Sequence, residues 1–145
     1  MEYFPFIPDG PPTQQHRTII SQLHMRPFGA SKGMPATSLV IYPSPGPDHS
    51  DPRFDMEYYL DTHMPMAADQ WKSFGLQDWK VVQLGPASDG NKPYSVATVM
   101  SWNSLDGLKA ALESDGFKVL AADVKDFTDL RPLFLTGDVV GSFVV

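Results

Sequence analysis

The segment PYSVATVMSW, residues 93–102, decides the fold class. Its side chains alternate with a period of two, so that Tyr94, Val96, Met100 and Trp102 fall on one face. This period is typical of a β-strand, because successive residues of a strand point to opposite faces of the sheet. Both faces carry apolar residues. We therefore expect helices to cover one face of the sheet and a second copy of the chain, in a homodimer, to cover the other.

The segments around this strand complete an alternating order of elements. β-branched and aromatic runs that stop at Pro and Gly predict strands, and apolar residues recurring at threes and fours predict helices. The predicted strands are residues 38–42, 79–84, 93–102 and 133–140. The predicted helices are residues 55–74, 105–112 and 117–126. This order is that of an α+β, ferredoxin-like βαββαβ unit with an antiparallel sheet.

The first predicted helix contains a proline at position 65. Proline lacks the backbone N–H and disfavours helical geometry at the residue before it. We therefore expect the helix to end or kink near His63 and Met64 and to restart at Pro65. Asp51 or Asp55 is the predicted N-cap.

Length and proline content indicate the domain organisation. The chain has 145 residues, which suits one domain. Residues 1–35 are rich in proline and are predicted to form an N-terminal arm, while residues 36–145 form the folded domain. The start of the chain has neither the basic nor the apolar region of a secretory signal.

Charge and cysteine content exclude several classes of function. Seventeen acidic residues against eleven Lys and Arg give a net charge of -6, which disfavours binding to nucleic acid and to membrane surfaces. No stretch approaches the roughly 18 apolar residues of a membrane span. The absence of cysteine excludes disulfides and thiolate sites, and it favours the reducing cytoplasm.

Three segments of the chain resemble the EthD family. They are FDMEYYLDTHMPM at residues 54–66, WKSFGLQDWKVVQLG at residues 71–85 and KPYSVATVMSW at residues 92–102. The tyrosines followed by His-x-Pro are the most specific motif. The resemblance spans residues 38–140 and implies a dimeric α+β barrel, in which the sheets of two subunits face each other. It leaves the reaction open, since fungal relatives act as dehydratases, decarboxylases or cyclases on polyketides.

His63 and Tyr59 are the candidate catalytic residues. They lie four positions apart, on one face of the predicted helix. The resemblance places His63 on the family's His-x-Pro position. An imidazole exchanges protons near neutral pH, and a phenol hydroxyl can hold a substrate oxygen. The alternative is structural: His63 binds a backbone carbonyl freed by Pro65, and Tyr59 packs at the edge of the core.

A set of aromatic and thioether side chains is predicted to line an apolar pocket, with ordinary core packing as the alternative. The predicted substrate-binding residues are Tyr58, Met66, Trp71, Tyr94, Met100 and Trp102. Asp61 lies two residues from His63 on the helix and is expected to be a solvated carboxylate. The acidic residues near His63 lack the spacing of a metal site, and no nucleotide-binding motif is present. We therefore expect no metal and no cofactor.

Together these features predict a small enzyme that uses acid/base chemistry without a cofactor. The predicted reaction is dehydration, decarboxylation or cyclisation of a small aromatic or polyketide-like metabolite, by a lyase or a cofactor-free oxidoreductase. The first alternative is a non-catalytic binding or accessory protein of a catabolic or biosynthetic pathway. The second is an interaction dimer whose pocket is filled by its own side chains. The enzyme and the binding protein both require an open cavity that reaches His63.

Overall fold

The computed structural model of the protein describes residues 34–44 and 53–145. The described residues up to Val139 belong to one compact unit, Gly29–Val139, and Val140–Val145 fall outside that unit. Residues 1–33 of the predicted N-terminal arm, and Asp51, lie outside the described residues.

Four strands form one antiparallel sheet in the order β2-β3-β1-β4. The strands are β1 Ala36–Pro43, β2 Leu76–Gln83, β3 Tyr94–Trp102 and β4 Leu133–Asp138. The two central strands, β1 and β3, alternate between a face that packs under the helices and a helix-free face, which no helix of residues 34–44 and 53–145 covers. This strand order confirms the predicted ferredoxin-like α+β fold, which is the subunit fold of the dimeric α+β barrels.

In the part of the chain that the structure describes, three helices cover one face of the sheet. Helix α1 has three consecutive segments, which are Met56–Tyr58, the π-helical turn Tyr59–His63 and Met64–Trp71. A 3-10 turn, Lys72–Phe74, follows it. The other helices are α2, Leu105–Glu113, and α3, Asp115–Phe127.

Helix α3 begins two residues earlier than the sequence predicts. The predicted helix starts at Phe117, directly after Gly116, but Gly116 is buried in the first turn of α3. A Cβ atom at this position would lie 3.0 Å from Cβ of Gln70 on α1. Gly116 therefore permits the close approach of α1 and α3, and this packing outweighs its low helix propensity.

The π-helical turn explains how α1 tolerates Pro65. The N–H of Met64 donates to the carbonyl of Tyr59, five residues back, and the α-helical pattern resumes at Met64. Pro65 then falls in the first turn of the resumed segment, where a missing N–H costs little. The break expected at His63 and Met64 is thus a change of helical pattern rather than an end of the helix. Of the two predicted N-caps, Asp55 is observed, and its carboxylate accepts from the N–H of Tyr58.

The core between helices and sheet contains a cluster of aromatic rings. Phe127, the last residue of α3, is fully buried and contacts the rings of Tyr42, Phe54 and Tyr59 at centroid distances of 4.9 to 6.1 Å. The ring of Phe127 also contacts His63, at 4.6 Å. The core therefore holds the end of α3 against the π-helical turn of α1.

Candidate functional site

His63 and Asp123 form a hydrogen-bonded pair that joins α1 to α3. Nδ1 of His63 lies 2.8 Å from Oδ2 of Asp123, and both side chains are about nine-tenths buried. Since a carboxylate only accepts, Nδ1 carries the hydrogen, and the neutral imidazole keeps its lone pair on Nε2. Nε2 has no hydrogen-bond partner among the described residues. The arrangement therefore presents Nε2 as a base that Asp123 orients.

Tyr58 is a second donor to the same carboxylate. Its hydroxyl donates to Oδ1 of Asp123 at 2.7 Å. Burial acts to raise the pKa of Asp123, but the hydrogen bonds from His63 and Tyr58 outweigh it and hold this pKa below its usual range. The same bond to Asp123 is the main cause that raises the pKa of Tyr58 to about 12. At neutral pH, Asp123 is therefore ionised and Tyr58 is a neutral phenol.

The ring of Tyr59 stacks on the ring of His63. The two rings stack at a centroid distance of 5.4 Å with an interplanar angle of 17°, so the predicted common face is observed. The hydroxyl of Tyr59 lies 2.6 Å from Oγ1 of Thr98 on β3. Burial raises the pKa of Tyr59, although the hydrogen bond to Thr98 lowers it in part. Tyr59 is thus a neutral hydroxyl at the wall of the site.

A cavity of about 650 Å³ opens between the helices and the sheet and reaches His63 and Tyr59. Its volume suits a small organic molecule, since ligand sites span about 300 to 1,000 Å³. Most of its wall is apolar and includes Met64, Trp71 and Leu120. An open cavity at His63 is what the enzyme and the binding protein both require.

Four of the predicted site residues line this cavity, namely Tyr59, His63, Trp71 and Met100. Tyr58 does not line the cavity. Its hydroxyl instead binds Asp123, the residue that also binds His63.

The other three predicted site residues lie outside the cavity lining. Trp102 is buried, and its Nε1 donates to Oγ of Ser38 at 2.9 Å. Tyr94 is 39% exposed at the start of β3, and Met66 packs half-buried on α1. A strand period places Tyr94, Met100 and Trp102 on one face, but it does not tell how far along the strand the cavity extends.

Asp123 is not among the site residues predicted from the sequence, although its position in the sequence carries a signal. Asp123 follows Leu120 by three residues and precedes Phe127 by four, so it lies on the apolar stripe of α3. A carboxylate on the buried face of a helix needs a partner, because an isolated buried charge is costly. Asp61, by contrast, is exposed, as expected.

Two further properties concern the described residues only. No helix in residues 34–44 and 53–145 is long and apolar enough to cross a membrane. Within the same residues, no three His, Asp or Glu side chains converge in a way that could hold a metal ion.

The stability of the fold at acid pH should depend on Asp123. Its pKa in the folded protein lies below the ordinary 3.8, so the unfolded chain binds this proton more tightly and stability rises with pH. The stabilising free energy that Asp123 contributes is complete when the pH is above 3.8, the ordinary pKa of the carboxyl group. It is lost as the pH falls through the lowered pKa of the folded protein. Asp123→Asn should destabilise the protein by about 1 to 3 kcal/mol at pH 7. The difference in Tm from wild type should shrink as the pH falls below about 4.

The matched control is Asp61→Asn, because Asp61 is exposed on the same helix as His63. It should leave Tm nearly unchanged at every pH. A Tm difference for Asp123→Asn that stays constant between neutral pH and pH of about 3 would contradict the assignment.

Comparisons with known proteins agree with this fold. No family model matches the sequence, and no curated relative was found. A solved EthD-like protein from Ralstonia eutropha is 25% identical, with a TM-score of 0.62 over 74% of this chain and 93% of that one. A solved EthD family protein from Bacillus halodurans shares the fold, with 21% identity and a TM-score of 0.56 over 73% of this chain and 99% of that one. The fold of the chain therefore agrees with the resemblance seen in its sequence, and the chain is similar to EthD-like proteins.

Proposed function

We propose that the protein is an enzyme that binds a small aromatic or polyketide-like metabolite in its cavity and moves a proton with His63. The observation that supports this proposal best is the orientation of His63. Asp123 binds Nδ1 of its ring, and Nε2 has no hydrogen-bond partner among the described residues. The ring borders an apolar cavity. Polar groups that converge on an apolar cavity are the usual form of a small-molecule site.

The proposed proton transfer uses the two nitrogens of His63 in different roles. Nε2 takes a proton from a carbon next to a ring carbonyl, and the carboxylate of Asp123 stabilises the imidazolium that forms. In a dehydration, the imidazolium then returns the proton to the leaving hydroxyl. The C–H and C–O bonds break, a C=C bond forms and water leaves, so the step needs no oxidant or reductant.

Tyr59 is proposed to hold the substrate oxygen. Its hydroxyl and that of Thr98 are within hydrogen-bond distance, and either one can be the donor. When Thr98 donates to Tyr59, the hydrogen of Tyr59 is available for a carbonyl or enolate oxygen in the cavity.

A second candidate function is that of a binding protein that carries or shields the same metabolite. The observation that favours it is the hydrogen bond between the hydroxyls of Tyr59 and Thr98. When Tyr59 is the donor in this bond, its hydrogen is not available to hold a substrate oxygen. Such a protein would use the apolar cavity without proton transfer.

The experiment that separates the two functions is a screen of phenolic and polyketide-like compounds. Trp71 lines the cavity, so binding is expected to change its fluorescence, and Trp71→Phe identifies that signal. Mass spectrometry in D₂O measures both conversion and the exchange of substrate hydrogens. Conversion or exchange of a bound compound supports the enzyme. Binding without either supports the binding protein, and a panel in which nothing binds overturns both.

We also propose that the protein is a homodimer that pairs through the helix-free face of the sheet. Leu39 on β1 lies beside Val99 on β3 and Leu135 on β4, and Ile41 lies beside Leu133. Leu133 and Leu135 are each 44% exposed. An apolar sheet face of this kind is commonly covered by a second subunit.

Leu39→Lys is expected to convert the dimer to a monomer, because it places a charge at the centre of this apolar face. Sedimentation velocity measures the change, and circular dichroism checks the fold. The control is Ala110→Lys, which adds the same charge to the exposed side of α2 and should leave the dimer intact. A wild-type protein that is monomeric at micromolar concentration would contradict the proposal.

A further inference from the structure

Three charged residues of the described part of the chain line the cavity, and they are close together in the sequence. Lys125 lies in the last turn of α3, and Asp129 and Arg131 lie in the loop between α3 and β4. All three are exposed, whereas most of the remaining wall is apolar. Where these exposed residues line it, the cavity therefore borders solvent. We call Lys125 and Arg131 the basic rim.

The negative charge of Asp129 is offset by a cation outside the cavity lining. Nη2 of Arg53 lies 4.0 Å from Oδ1 of Asp129. Arg53 also donates to the backbone carbonyls of Lys125 and Asp126 at the end of α3. Asp129 therefore has a cation of its own nearby, which partly offsets its negative charge, and the net charge of the three lining residues is positive.

Lys125 and Arg131 have no such counterion. Neither side chain makes a hydrogen bond or an ion pair with another residue in the described part of the chain. The chain as a whole carries a net charge of -6. Two unpaired cations that border one apolar cavity of an acidic protein indicate a site for an anion.

The loop that carries Arg131 is anchored at its start. Thr128 is 2% exposed, and its hydroxyl donates to the carbonyl of Arg53 at 2.7 Å and accepts from the N–H of Leu130 at 3.1 Å. The backbone before Arg131 is therefore held in place by hydrogen bonds, which limits the backbone entropy lost when Arg131 binds a ligand.

We infer that the natural ligand carries a carboxylate, which binds at the basic rim while the ring-containing part of the ligand fills the cavity toward His63. A guanidinium matches a carboxylate with two parallel hydrogen bonds, and an ammonium adds a second positive charge. The inference rests on the proposed function only in that both assign a ligand to this cavity.

The test uses two probes of the same shape, 2-naphthoate and the uncharged 2-naphthamide, with affinities measured by calorimetry on the full chain. The wild type should bind the naphthoate about five- to tenfold more tightly at low salt, and added salt should reduce this preference. Arg131→Gln should remove most of the preference and leave the affinity for the naphthamide unchanged. Lys125→Gln should have a smaller effect in the same direction.

The matched control is Lys118→Gln, which removes an exposed cation from α3 outside the cavity lining and should change neither affinity. Equal binding of the two probes by the wild type overturns the inference, as does an unchanged preference in Arg131→Gln or a failure of naphthoate to bind. This result is independent of turnover. If His63→Ala abolishes conversion and Arg131→Gln keeps the preference for naphthoate, the results support the enzyme and contradict the carboxylate site. If His63→Ala still converts the substrate and Arg131→Gln loses the preference, they contradict the enzyme and support the carboxylate site.

Discussion

His63→Ala is expected to lower kcat by about 10² to 10⁴-fold on a compound that the wild type converts, which is the usual contribution of a positioned general acid or base. The ligand should still bind, because the cavity wall is mostly apolar and alanine leaves that wall in place. KM should therefore change by only a few-fold, while kcat falls. Steady-state kinetics followed by mass spectrometry gives both values.

A loss of activity in His63→Ala has a second explanation, which is that the variant fails to fold. Removing the imidazole also leaves the carboxylate of Asp123 with Tyr58 as its only side-chain hydrogen-bond partner among the described residues. His63→Gln is the companion variant, because its amide can still donate to Asp123 but cannot act as a base at neutral pH. Loss of turnover in both variants, with the Tm of His63→Gln near that of wild type, supports proton transfer. Turnover that survives in either variant contradicts it.

Asp123→Asn is expected to lower kcat by about 10² to 10⁴-fold, a range bounded by the loss seen when the carboxylate of a Ser-His-Asp triad is replaced by an amide. The amide carries no charge to stabilise the imidazolium. It can also present its NH₂ group to His63, which would favour the hydrogen on Nε2 and remove the base from the cavity. The affinity for ligand should change little, since Asp123 does not line the cavity.

Tyr58→Phe is the matched comparison for Asp123→Asn. It removes one of the two hydrogen bonds to the carboxylate and leaves the 2.8 Å contact between His63 and Asp123. We expect a decrease in kcat of no more than about tenfold, or about 1.4 kcal/mol, because the charge of Asp123 and its contact with His63 remain. Equal losses in Tyr58→Phe and Asp123→Asn would show that Asp123 acts through the packing of α3 and not through its charge.

Much of the fold could be predicted because its signals are local. The alternation over β3 and the apolar spacing over α1 follow directly from the two periods of regular secondary structure. Asp55, one of the two predicted N-caps, caps α1 with a side-chain hydrogen bond, as short-range rules predict. The start of α3 is different, since the role of Gly116 is visible only where α1 packs against it.

The sequence by itself determined the order of the elements and the common face of Tyr59 and His63 on α1, because each depends on residues within a few positions of one another. Only the tertiary structure decided which residues complete the site. His63 and Asp123 are 60 positions apart, and Tyr59 and Thr98 are 39 apart. Periodicity tells which side of a helix is buried, but it carries no information about which residue of a distant element lies opposite. The packing of α1 against both α3 and the sheet supplies that information, and with it the partners of His63 and Tyr59.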